Sequence, residues 1–259
     1  MSFDRVAWVY RGLERVVFGN ALQESRIAHL DVTGDPSVLI LGDGDGRFLE
    51  ALLAKAPGAK VEVVEASATM IQLARRRVRE GAEVVFHHSE VAEFIPCKQY
   101  DLVASHFFLD CFEPREIEQI AAMVTTCLGD GARWLISDFQ LPRTGVLRRT
   151  RARLLLWAMY RFFRVTTGIE ARDLIDPEPI LRSAGLRLVE RLESNAGVLR
   201  ADNWARCVGR WTLSADVSSL VLPFAFSPRL LRWMLMILVA HQGLLLVMVS
   251  TGAARVRVA

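Results

Sequence analysis

Apolar residues first recur at close to 3.6 positions. Phe3, Val6, Ala7, Tyr10, Leu13, Val17 and Leu22 fall on one stripe, which predicts helix across residues 3–30. The run Asp31-Val-Thr-Gly-Asp-Pro36 ends that pattern, since glycine and proline interrupt helical backbone. From Ser37 the period changes. Val38-Leu-Ile-Leu41 is apolar throughout, as in a parallel strand covered on both faces. A glycine turn follows, then Phe48, Leu49, Leu52 and Leu53 at helical spacing, stopped by Pro57-Gly58.

The scheme then repeats. Val61–Glu65 reads as a strand, Ser67 as the cap of a helix through Met70, Ile71, Ala74 and Val78, and Gly81 as its close. Val84-Val-Phe86 begins a third strand and Tyr100–Ser105 is a fourth. Ile117, Ile120, Ala121, Val124 and Leu128 make the stripe of a helix starting near Pro114. Gly129-Asp-Gly131 turns the chain into a fifth strand, Arg133–Phe139. Beyond residues 143–176 the pattern resumes with a helix near 177–183, Gly185, a strand Leu186–Leu192 and an extended segment near Trp204–Leu213. Strands alternating with helices predict an α/β fold with a mostly parallel sheet, right-handed crossovers and helices on both faces.

Composition narrows the picture. Of 259 residues, 52% are hydrophobic and 24% charged, which suits a large packed core and excludes wholesale disorder. The net charge of +3 argues against a dedicated nucleic-acid binder. Cys97, Cys111, Cys127 and Cys207 show neither a C-x-x-C pair nor ligand-like spacing to histidine, so we expect no metal site and a cytoplasmic setting.

The strongest chemical signal is Leu41-Gly-Asp-Gly-Asp-Gly-Arg47, between a strand and a helix. Glycines there permit a tight turn and let a ligand approach the main chain, although a turn that binds nothing has the same composition. Glu65 ends the next strand, about 20 residues on, where an acid grips ribose hydroxyls. Such a site serves NAD, FAD or S-adenosylmethionine. Gly42, Gly44 and Gly46 give G-x-G-x-G, and Arg47 stands where a dinucleotide fingerprint needs its third glycine.

Val38–Gly46 resembles the first motif of the class I S-adenosylmethionine-dependent methyltransferases, and Val63-Val-Glu65 the second. The resemblance covers roughly residues 35–215. It implies a Rossmann-like methyltransferase fold with a mostly parallel seven-stranded sheet. The domain would run over 37–215, after an N-terminal helical lid (1–36) and before a hydrophobic C-terminal helix within 216–259. S-adenosyl-L-methionine is the implied cofactor. Gly42, Asp43, Gly44, Asp45 and Gly46 would carry its methionine end, Glu65 with Ala66 its ribose, and Met70, Glu90 and Val91 its adenine. Tyr100–His106 resembles the fourth motif, placing Ser105 at the methyl-donor pocket. One departure stands out: the family's acid two residues before the first glycine is Ile40 here, and Asp43 or Asp45 is the candidate replacement.

In-line methyl transfer asks mainly for positioning, with a general base only where the acceptor must lose a proton. His106 and Asp110 are the candidates for that role, against packing for His106 and helix capping for Asp110. His87 and His88 read as loop residues. Tyr10, Phe108, Trp157 and Tyr160 are candidate acceptor contacts, the last two in an aromatic, Arg-rich insertion (143–176) that equally suits a simple cover for the sheet. Residues 230–249 form an almost continuous apolar run about long enough to cross a bilayer, interrupted by His241 and Gln242. Membrane association, self-association and packing on the domain are its alternatives. The expected function is methyl transfer to a small, partly apolar or aromatic acceptor at O, N or C. An NAD(P)-dependent oxidoreductase and a non-catalytic methyltransferase-like binding protein are the alternatives.

Overall fold

A computed structural model describes residues 19–142, 145–146, 149–154 and 174–207. The element order is α1 (Ala21–Ile27), β1 (Ser37–Leu41), α2 (Arg47–Lys55), β2 (Lys60–Glu65), α3 (Ala68–Arg75), β3 (Val84–His88), β4 (Tyr100–His106), α4 (Pro114–Cys127), β5 (Leu128–Phe139), α5 (Glu178–Ser183), β6 (Leu186–Ser194) and β7 (Leu199–Arg206). Seven strands form one sheet in the order β3-β2-β1-β4-β5-β7-β6. The pairings among β1 to β5 are parallel, while β7 runs antiparallel to both of its neighbours.

The apolar strands are buried on both faces because alternate side chains enter two different cores. Val38 and Ile40 join Phe48, Leu49, Leu52 and Leu53 of α2, whereas Leu39 and Leu41 join Ile120, Ala121 and Val124 of α4. Trp134 and Trp204, paired across β5 and β7, are both fully buried on the α4 side. Opposite charges also hold the antiparallel edge together. Arg191 of β6 donates to both carboxylate oxygens of Asp202 on β7 (2.6 and 2.7 Å) and to Glu178 of α5 (2.9 Å). Asp202 is buried, so this bidentate pair gains the strength that desolvation gives a well-matched fork.

Four boundaries differ from the sequence expectation. Helix α3 ends at Arg75 and does not reach Gly81. Just beyond it Arg77 turns back to Asp45 (3.1 Å) and Glu50 (2.7 Å). Strand β3 continues through His87 and His88, which pair in register with Val64 and Glu65. Strand β5 starts at Leu128 and absorbs the glycines through a register shift against β4. Gly131 there adopts φ +76°, the left-handed geometry that suits glycine in a bulge. Strand β7 lies at 199–206, earlier than the segment expected near 204–213.

Among the described residues no helix is long and apolar enough to cross a membrane, and no group of three or more His, Cys, Asp and Glu side chains is placed to hold a metal ion. Half of the expected N-terminal lid, most of the insertion and the whole of 216–259, including 230–249, lie outside the described residues. So do Tyr10, Trp157 and Tyr160.

Candidate functional site

Strands β1, β2, β3 and β4 deliver their C-terminal ends to one edge of the sheet, where ligands of open α/β folds bind. Gly42, Gly44 and Gly46 all have φ between +63° and +84°. At Gly44 a Cβ would meet nothing within 4 Å, so the middle of the turn presents bare main chain to open space. Glu65 faces it. Its carboxylate accepts from Gly44 N–H (3.2 Å) and Ser67 N–H (2.9 Å), which fixes the acid and the turn against each other. Burial raises the Glu65 pKa above the usual carboxylate range, and the backbone donors of Ser67 and Gly44 oppose that rise. Glu90, exposed just past β3, lies near enough to add a raising repulsion. Met70 is buried in α3, its N–H bonded to the Ser67 hydroxyl, and Val91 is buried beside Glu90. Ala66 is half-buried, and its carbonyl is 3.1 Å from His88 Nε2.

The two aspartates of the turn serve their own chain. Asp43 accepts from Phe48 N–H (3.2 Å) and Leu49 N–H (3.0 Å), satisfying two donors at the start of α2 that would otherwise lack partners. Asp45 pairs with Arg77 (3.1 Å) and Arg47 (3.3 Å). The expectation that one of them replaces the missing acid at Ile40 therefore meets competing partners at both residues. Ile40 itself is buried against α2.

At the end of β4 the side chains divide between the two faces of the sheet. His106 lies on the α2 side, tilted against Phe48 with ring centroids 4.5 Å apart and with Nδ1 3.0 Å from Ser137 Oγ. Burial, with Arg26 nearby, depresses its pKa to about 3, so the ring is neutral at neutral pH. Enclosed in this way, His106 packs against Phe48, and its buried Nε2 has no hydrogen-bond partner among the described residues. Ser105 lies on the opposite side, its hydroxyl accepting from Trp134 Nε1–H (2.9 Å). Phe107 has φ +53°, rare for a bulky residue, and its N–H donates to Ser137 O (2.7 Å). The next ring, Phe108, lies against Gly42: a Cβ there would stand 2.6 Å from Phe108 Cε2. Phe108 also meets Phe112 edge-on, with centroids 4.8 Å apart.

Asp110 sits in a short 3-10 turn, Leu109–Cys111. Helix α4 is not capped by Asp110: Glu116 reaches back to the Glu113 N–H (2.9 Å). Two residues of this region escaped sequence reasoning. Asp138, buried at the C-terminal end of β5, has its pKa pushed up by burial and by the neighbouring Asp110. Its signal was available, as an acid ending a predicted inner strand. Arg26 of α1 lies over the Phe107 ring at 5.0 Å and near enough to Asp43 and His106 to influence both. An arginine on an amphipathic helix gives no such hint.

These buried groups make stability pH-dependent in two opposed ways. Burial raises Asp43 from 3.8 to about 7. Between those values the folded chain holds a proton that the unfolded chain has released, so this contribution falls as pH rises. His106 is depressed, so the unfolded chain takes up its proton below about 6.5 first, and stability falls as pH drops toward 3. Replacing Asp43 with Asn removes only the first effect. Thermal melts should show the variant gaining on the wild type between pH 4.5 and pH 8. A melting difference constant with pH would show that Asp43 does not titrate in this window.

The site can now be set beside known proteins. Residues 38–131 match the family model described as a methyltransferase domain. That span is the part of the chain whose likeness to methyltransferases is shown. Malonyl-[acyl-carrier protein] O-methyltransferase 1 of Ilyobacter polytropus (strain ATCC 51220 / DSM 2926 / LMG 16218 / CuHBu1) is 27% identical over 70 residues, which cover 27% of this chain and 26% of that protein. The matched part is thus about a quarter of that curated relative's length. The mitomycin 7-O-methyltransferase MmcR shares the fold at TM-score 0.57 and 18% identity, with 80% of this chain and 61% of that one covered. The DhpI–SAH complex matches at TM-score 0.57 and 17% identity, over 78% and 92%. Within the methyltransferase domain, the G-x-G-x-G turn and Glu65 lie inside the matched span.

Proposed function

We propose that the protein transfers a methyl group from S-adenosyl-L-methionine to a small, partly apolar or aromatic acceptor. The observation that carries this reading is Glu65, locked by Gly44 and Ser67 beside a turn whose middle glycine is open. Gly44 N–H binds one oxygen of the carboxylate and Ser67 N–H the other, with Ala66 N–H also acting on the group, and a carboxylate's roughly four acceptor positions leave capacity for a ribose hydroxyl. Asp43, Asp45 and Gly46 support the turn, Gly42 and Gly44 meet the methionine end as main chain, and Met70, Glu90 and Val91 flank the adenine. When bound, the cofactor supplies an activated methyl group on a sulfonium, and the protein's task is to orient acceptor and donor in line.

Asp110 and Asp138 are the groups assigned to a proton released by a hydroxyl or amine acceptor. Burial and repulsion from Asp110 favour the protonated form of Asp138 at rest, so Asp110, the half-buried member of the pair, is the one to take up the released proton. The relatives named for O-methyl transfer support oxygen as the first acceptor atom to try. Phe108 and the aromatic residues Tyr10, Trp157 and Tyr160 are its proposed apolar contacts. Four free cysteines fit the reducing cytoplasm we propose as its setting.

Calorimetric titration with S-adenosylmethionine, S-adenosylhomocysteine and NADH tests the cofactor. The first two are expected to bind and the third is not. Tritiated methyl transfer to a panel of phenols, carboxylic acids and amines then tests turnover. Folded protein that binds neither sulfur ligand would refute the reading.

A further inference from the structure

The site raises a question of charge that its acids do not answer. The donor of the proposed reaction carries a sulfonium cation, while the acids of the glycine turn are engaged elsewhere. Asp43 takes two N–H groups of α2, Asp45 takes Arg77 and Arg47, and Glu65 is held by Gly44 and Ser67 at the ribose position. The residue two positions before Gly42 is the buried Ile40.

What does stand at the first glycine is an aromatic ring. Gly42 has φ +66°, and a Cβ on it would lie 2.6 Å from Cε2 and 3.2 Å from Cγ of Phe108, so the ring rests directly on the turn. It is held there from two sides. Phe112 meets it edge-on at 4.8 Å, and Phe107 takes a left-handed backbone conformation that turns the chain toward the site. Such strain in a bulky residue persists only where surrounding structure enforces it, and it clusters at ligand-binding positions. Gly42 in turn is the residue that leaves room for the ring.

We infer that Phe108 is a charge-discriminating residue, whose ring face receives the sulfonium of S-adenosylmethionine and thereby favours it over the uncharged S-adenosylhomocysteine. This rests on the methyltransferase reading above. The physical basis is attraction between a cation and the negative face of a ring, which strengthens when water is excluded. The consequence is directional. The ring holds the charged donor and loosens its hold on the neutral product, so product inhibition is reduced.

The test compares affinity ratios. Calorimetry with S-adenosylmethionine and S-adenosylhomocysteine is performed on wild type, Phe108→Leu and Phe108→Tyr, each verified as folded by circular dichroism. Leucine fills similar space without a π face, so Phe108→Leu should lower the preference for the charged ligand by about fivefold. Phe108→Tyr keeps the face and should keep the ratio. Equal weakening of both ligands, or no change, overturns the inference and leaves the ring as packing, with the methyltransferase reading intact. Failure of folded wild type to bind either ligand removes that reading and this inference together.

Discussion

Replacing Glu65 with alanine is expected to weaken both S-adenosylmethionine and S-adenosylhomocysteine by about a hundredfold. The hydrogen bond from a ribose hydroxyl to an ionised carboxylate is lost, worth about 1.5–3 kcal/mol. Every 1.4 kcal/mol is about tenfold in affinity. The variant also frees the N–H groups of Gly44 and Ser67, so the turn loses the anchor that sets its distance from β2. Glu65→Gln separates these effects. One amide oxygen can still accept from Gly44 or Ser67, so the turn is largely retained while the charge is lost. We expect an intermediate loss for glutamine, of roughly tenfold. Both sulfur ligands should suffer alike, because they share the ribose. Wild-type affinity in folded Glu65→Ala would mean that the ribose is not held here.

Gly46→Ala should be the most damaging single methyl group in the site. Gly46 begins α2 with φ +84°, where an L-residue is strained by about 1–2 kcal/mol. The new Cβ would also lie 2.7 Å from Cα and 2.8 Å from Cβ of Ala74 in α3. Backbone cannot swing aside as a long side chain can, so α2 and α3 must separate, at a further cost of about 1–3 kcal/mol. The sum is a large part of the roughly 5–15 kcal/mol that stabilises an ordinary domain. Gly44→Ala is the matched control. It has a similar φ of +63° but open space around the Cβ position, so only the backbone strain applies. Chemical denaturation should therefore give a loss for Gly46→Ala two to three times that for Gly44→Ala. Equal losses would show that helix contact at Ala74 contributes nothing.

The inner strands were legible because a strand buried on both faces is apolar at every position, and Val38–Leu41 has no other economical interpretation. The glycine turn and Glu65 were legible together because their separation is fixed by one helix and one strand. Direction was harder to read. His106 ends a strand, and its identity suggested chemistry, but its parity with Leu102 and Ala104 already assigned it to the α2 face. The aspartates of the turn were ambiguous for another reason. An acid just before a helix can serve a ligand or the helix's own N–H groups, and sequence does not rank the two. Strand β7 was misplaced because its interior carries Arg200 and Asp202, which look exposed until Asp176 and Arg191 supply partners. Arg26 was invisible as an influence on the site, since its neighbours there are remote in the chain.

The position of β7 has a consequence for how the molecule is made. Among the described residues it is the last strand of the sheet in sequence, yet it occupies an interior place between β5 and β6. During synthesis β6 therefore emerges with no strand to join, and β5 waits as an open edge until residues 199–206 arrive. A chain cut before Leu199 does not lose a border of the sheet. It loses the strip joining one border to the rest, and leaves the unpaired amides and carbonyls of β5 free to recruit another chain.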